Sequence, residues 1–129
     1  MADPITTNID NGPVAVGGEI FRNELFTSAG ADVLLAGTIL ARDTSTLKLR
    51  LYVKGGSTAG NGVPQFVLTY PVTIAGAGDV PVRVLAAGTV NRDRLVIDAD
   101  QNANNVDAAV IDLLRSVGIQ VEFVEQLLV

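Results

Sequence analysis

LLAGTILARDTSTLKLRLYV, residues 34–53, holds two apolar runs joined by the polar stretch Asp43-Thr44-Ser45-Thr46. In the second run Leu47, Leu49, Leu51 and Val53 alternate with Lys48, Arg50, Tyr52 and Lys54. A period of two places one set of side chains on each face of a strand, so the run predicts a strand with an aliphatic inner face and a cationic, aromatic outer one. Asp, Ser and Thr between the runs supply the side-chain-to-backbone hydrogen bonds of a tight turn. The stretch therefore reads as a β-hairpin, and the rest of the chain follows the same grammar. Strands are expected at about 33–42, 47–54, 63–74, 80–90 and 94–98, each rich in Val, Ile or Leu and closed by turn residues. Pro64, Pro71 and Pro81 fall at or near strand ends or mark edges, where a missing N–H is tolerated. In the 80–90 run, Val80, Val82 and Val84 are expected to face the core, with Pro81, Arg83 and Leu85 turned away.

One helix is expected near the C-terminus. Val106, Ala109, Val110, Leu113, Leu114 and Val117 recur at helical spacing and form an apolar stripe assigned to the core. Asn104 or Asn105 can cap its first turn, where Asp107 also suits the helix dipole. Arg115 suits the last turn, and Gly118 is placed to end the helix in a left-handed conformation. Ile119, Val121 and Phe123 then alternate with polar residues as a final strand. The fold class is α+β, mostly β: a small body of short strands with one amphipathic helix near the C-terminus and an extended N-terminal arm.

Composition narrows the function. The 129 residues suit one domain with one core, and with four Phe, two Tyr and no Trp that core is aliphatic. No apolar run reaches the roughly 18 residues that span a bilayer, and Met1-Ala2-Asp3-Pro4 begins no secretory signal, so neither a membrane nor export is expected. Net charge is −5 and the nine cations are scattered, whereas a nucleic-acid binder concentrates positive charge against phosphates. The Lys48, Arg50, Lys54 face is therefore read as a solvated strand face.

The chain has no His and no Cys, which removes Ser-His-Asp and Cys-His catalysis, zinc-finger sites, iron–sulfur clusters and disulfides. Asp98, Asp100 and Asn102 match the opening of a calcium loop, but Ala103 stands where its sharp turn needs Gly and Ala109 where it needs a bidentate Glu. A polar loop leading into the helix explains them. Gly55-Gly56-Ser57-Thr58-Ala59-Gly60 has the glycine spacing of a phosphate-binding loop, yet Asn61-Gly62 replaces the Lys and Ser/Thr that hold phosphate; it reads as a flexible surface loop. Gly76 and Gly78 begin a GxGxxG pattern that Pro81 breaks. No enzyme, cofactor or metal is expected.

Residues 1–30 form an N-terminal arm and lead-in segment, and residues 31–129 a single β-rich domain. The lead-in carries Ile5, Ile9, Val14, Val16, Ile20 and Phe21 among Pro and Gly. Two readings stand for it: an irregular first strand laid on the body, for residues 14–26, and an arm that orders on a partner, favoured for residues 2–13.

Taken in order, Gly30-Ala31-Asp32-Val33-Leu34-Leu35-Ala36-Gly37, Leu47-Lys48-Leu49, Gly62-Val63-Pro64-Gln65-Phe66, Gly78-Asp79-Val80-Pro81-Val82 and Ala87-Gly88-Thr89-Val90-Asn91 resemble the head decoration proteins of lambda-like tailed bacteriophages, as does Leu113-Leu114 through Gly118-Ile119. The resemblance covers roughly residues 30–120. It implies a cement protein that binds the phage major capsid protein as a homotrimer, at or near threefold positions on the outer surface of the expanded head, and stabilises the virion against internal DNA pressure. It also implies an N-terminal arm that extends a capsid sheet, a role that falls here on Ile5, Thr6, Thr7, Asn8 and Ile9. Family members often carry Gly before the Lys-Leu of the first hairpin; Leu47 stands there, which implies a shifted turn. A carbohydrate-binding module is the alternative for a small β-rich chain, weakened by the scarcity of aromatic rings to stack on sugars.

Overall fold

The computed structural model describes residues 14–97 and 106–122. Its strands are β1 (Ala15–Ser28), β2 (Asp32–Leu34), β3 (Ile39–Arg42), β4 (Leu49–Leu51), β5 (Phe66–Leu68), β6 (Val72–Ile74), β7 (Gly78–Asn91) and β8 (Ile119–Glu122), with helix α1 at Ala108–Ser116. The larger sheet runs β1-β4-β3-β5-β7-β8, and β1 also pairs with β7. The pairings therefore close a circuit, β1–β4–β3–β5–β7–β1, which is a small five-stranded barrel with β8 appended to β7. Closure removes most of the open strand edge that a sheet this size would otherwise expose.

The long ribbon of β1 and β7 dominates the barrel. It is antiparallel from Ala15↔Val90 to Ser28↔Gly78, with irregularities around Gly17 to Phe21. Residues 15–28 are thus a strand built into the body, the first of the two readings of the lead-in. At its far end β1 meets β4 in parallel at Phe26↔Leu49, the seam that shuts the barrel.

Two cores share the barrel wall. Inside lie Phe26, Leu40, Leu49, Phe66, Leu68, Val82 and Val84, joined by Leu34 and Ile74 from the separate β2–β6 pair. Outside, Ile39, Ala41, Val67 and Leu85 of the same strands pack with Val90, Ile119, Val110 and Leu114. This explains why Ile39-Leu40-Ala41 and Phe66-Val67-Leu68 are buried at every position: a strand covered on both faces reads as a continuous apolar run. Each of the larger side chains contributes about 1.5–3 kcal/mol by leaving water.

Several expectations need correction. The 33–42 and 63–74 runs each divide: β2 and β6 pair with each other, while β3 and β5 belong to the barrel. Breaks fall at Gly37 and around Pro71. Among the described residues the expected 94–98 strand is instead a 3-10 turn at Arg92–Arg94 followed by isolated bridge residues at Val96 and Ile97, Val96 pairing with Thr38. The inner face of 47–53 is reduced to Leu49 and part of Leu51, because Tyr52 is buried while Leu47 and Val53 are exposed. Leu85 is buried too, since the outer face of β7 is covered by the second core.

Helix α1 stands where the period places it, but only Val106, Val110, Leu114 and partly Val117 of the stripe turn inward, with Ile111 beside them. Ala109 and Leu113 are exposed. A nine-residue helix lying on one barrel wall needs a narrow stripe. Its N-cap is Asp107, whose carboxylate accepts from the N–H groups of Ala109 (3.1 Å) and Val110 (3.2 Å). Asn104 and Asn105 lie outside the described residues. Gly118, at φ +96°, ends the helix as expected.

Candidate interaction surfaces

The sequence placed its binding residues at Ile5, Thr6, Thr7, Asn8 and Ile9, which lie outside the described residues, as do Asp98, Asp100 and Asn102. What the structure fixes is the point from which the arm segment leaves. Val14 is buried in the outer core, and its carbonyl accepts the N–H of Asn91 at 2.8 Å. Asn91 also pairs with Glu122 of β8. The described chain therefore begins at the end of the ribbon where β1, β7 and β8 lie side by side.

The cationic strand face is neutralised within the chain. Lys48 bridges Asp79 (2.6 Å), Arg50 bridges Asp43 (3.1 Å) and Lys54 bridges Asp107 (2.7 Å). The carboxylates register it. Asp79 is held below the usual range by the Lys48 ammonium and the Thr27 hydroxyl. Asp107 is lowered by Lys54 and by the helix N–H of Val110. A face whose cations are each matched by a carboxylate lacks the excess charge that draws phosphates.

The glycine loop is tied down rather than loose. The Asn61 side chain accepts from the Thr58 N–H (3.1 Å), and the Asn61 carbonyl accepts from Val53 (2.8 Å). The Thr44 N–H donates to Ala59 at 3.0 Å and fastens the loop to the hairpin turn. Gly56, Gly60 and Gly62 serve close packing: a Cβ at Gly62 would fall 2.0 Å from the Gly56 oxygen.

Sugar stacking finds little to use. Tyr52, Phe26 and Phe66 are buried. Phe21 is covered by the Arg83 guanidinium, 4.9 Å from the ring centroid. Tyr70 alone is exposed among the described aromatics, and its hydroxyl accepts the Arg83 N–H at 2.9 Å.

The hairpin turn carries the feature that sequence reasoning missed. Leu47 takes φ +65°, in the left-handed region that glycine favours. Its N–H donates to the Asp43 carbonyl (2.8 Å), and its carbonyl accepts from Arg42 Nη1 (2.7 Å). Arg42 also grips both Glu24 carboxylate oxygens at 3.1 Å and lies 5.2 Å from the centroid of the Phe66 ring. The Asp43 carboxylate accepts from Ser45 Oγ (2.7 Å) and from the N–H groups of Ser45 (2.8 Å) and Thr46 (3.1 Å). These bonds, the Ser45 hydroxyl first, bring its pKa to about 2. Fixed by its neighbours in this way, Leu47 turns its side chain outward, 63% exposed. The available signal was the departure from the family resemblance noted at Leu47.

No curated protein matches the chain. The family model described as bacteriophage lambda head decoration protein D matches residues 15–119, from the first residue of β1 to the first of β8.

Proposed function

The chain belongs to the bacteriophage lambda head decoration protein family, a structural family of the phage capsid, and we propose that it is a cement protein of the expanded head. In this reading it sits as a trimer at or near threefold positions on the outer surface and holds capsid subunits together against the pressure of packaged DNA. The family match across the whole barrel carries the reading. Residues 2–13 supply the attachment: Ile5, Thr7 and Ile9 share one face when extended, and Ile5 to Ile9 adds as a strand to an edge of the capsid protein. Main-chain hydrogen bonds then give affinity and the isoleucines give burial.

The test is decoration of expanded heads, read by co-sedimentation and negative-stain imaging. Heads carrying the full chain should survive heating and low ionic strength that burst bare heads, with density in groups of three. Equal fragility with and without the protein would overturn the cement role. Deleting residues 2–13 should leave the melting temperature nearly unchanged, since Val14 and β1 remain, while binding falls sharply. Thr7→Pro should reproduce much of that loss by removing a ladder donor. Undiminished decoration by the truncated chain would show that the arm is not the anchor.

A further inference from the structure

We infer that the seam between β1 and β4 is a latch, a place where the closed barrel opens locally within the native state and which side chains, rather than a backbone ladder, hold shut. The two strands share a single registered pair, Phe26↔Leu49, whereas β1 is paired to β7 from Ala15 to Ser28. The backbone of β4 shows how little closes the seam. Lys48 accepts the N–H of Asp43 (2.8 Å) and Tyr52 donates to Ile39 (3.3 Å), so these groups face β3. Alternation along an antiparallel pair then turns the N–H and C=O groups of Leu49 and Leu51 towards β1. Leu49 meets Phe26 there, but Leu51 has no registered partner on β1 among the described residues.

Two further observations fit a latch. First, the strands part on either side of their one meeting point. Grooves of about 400, 260 and 440 Å³ open along the seam, with residues from 23–32 on one wall and from 43–53 on the other. Second, side chains cross the gap where the backbone does not. Asp79, opposite Thr27 on the ribbon, accepts from the Thr27 hydroxyl (2.9 Å) and from the Lys48 ammonium (2.6 Å). Arg42 reaches from β3 to both Glu24 oxygens on β1, each at 3.1 Å. Ion pairs as open to water as these contribute little apiece, so they can release while the ribbon stays intact. Local openings draw on segments with few such bonds. Because β1 is bound along its length to β7, the part that moves is the β3–β4 hairpin. The glycine loop travels with it, since the Thr44 N–H is bonded to Ala59 (3.0 Å). Opening bares the β4 edge and the side chains of Phe26 and Leu49, which the closed barrel buries.

Native-state hydrogen exchange on the full chain, followed by NMR at low urea concentrations, tests the latch. Val84 is the reference: it is fully buried, and Arg22 of β1 and Leu68 of β5 flank it on its two edges. Protection of the Leu49 N–H should be at least a hundredfold below that of Val84, and should respond only weakly to urea until global unfolding takes over. Equal protection with one urea dependence would mean that the seam opens only when the whole barrel unfolds, and would overturn the proposal. Asp79→Ala removes the acceptor that Lys48 and Thr27 share. Exchange at Leu49 should then quicken at least tenfold, and by a larger factor than at Val84, which reads global stability. A Leu49 rate that is unchanged, or that rises only in step with Val84, would show that side chains do not hold the seam and would equally overturn the proposal. Either outcome is independent of whether the chain decorates heads.

Discussion

A Cβ on Gly37 would lie 1.6 Å from the carbonyl oxygen of Arg94, and the residue sits at φ +95°. Its N–H donates to Leu68 (2.7 Å) and its carbonyl accepts from Val96 (2.9 Å), so it cannot move without breaking two strand contacts. Gly37→Ala should therefore cost more than about 3 kcal/mol in urea unfolding, combining backbone strain with a buried clash. Asp43 makes the opposite kind of prediction, one about pH. Its folded pKa of about 2 lies below the 3.8 of an unperturbed aspartate, so its stabilisation is complete above the unfolded value and is lost as pH falls from about 4 towards 2. Asp79 and Asp107 are shifted the same way and add to that acid limb. The melting temperature should be level from pH 7 to 5 and drop below pH 4, and Asp43→Asn should show a shallower drop. A profile indifferent to that substitution would mean the turn does not depend on the carboxylate. The turn chemistry of Asp43, Ser45 and Thr46 was legible in the sequence because such bonds are local. The clash at Gly37 was not, because Arg94 reaches it only through the closed fold.

Helix α1 separates stripe from surface. Leu114 is fully buried and Leu113 is 40% exposed. Leu114→Ala should cost about 2–5 kcal/mol, whereas Leu113→Ala should stay within about 0.5 kcal/mol, both read by chemical denaturation. The period of 3.6 revealed the helix and its end at Gly118, yet it could not tell a narrow contact stripe from a wide one. That depends on how the helix lies against β8 and the barrel wall. Strands show the same division. Alternation located most of them, but runs buried on both faces, such as Phe66-Val67-Leu68, lose the two-residue signal. Nothing local announces that a run such as 33–42 will send its halves to different sheets.

As a whole molecule, the protein has two cores hung on one set of strands, so neither can melt alone. Near-ultraviolet signal from buried Tyr52 and far-ultraviolet signal from the sheet should change in one coincident transition. A surface groove beside Leu47 draws on residues 23–25, 47–48 and 81, segments that only barrel closure brings together. This is why the sequence offered an arm as its candidate site and did not offer the groove. Closure also orders events in time. The first strand to be synthesised finds its main partner last: Ser28 waits for Gly78 and Ala15 for Val90, spans of dozens of residues. During translation β1 therefore has no lasting place until β7 leaves the ribosome, and loop-closure entropy must be met before most native contacts form. Refolding from urea should accordingly fall in the millisecond-to-second range by stopped-flow, and nascent chains stalled before residue 78 should be digested by protease along their whole length.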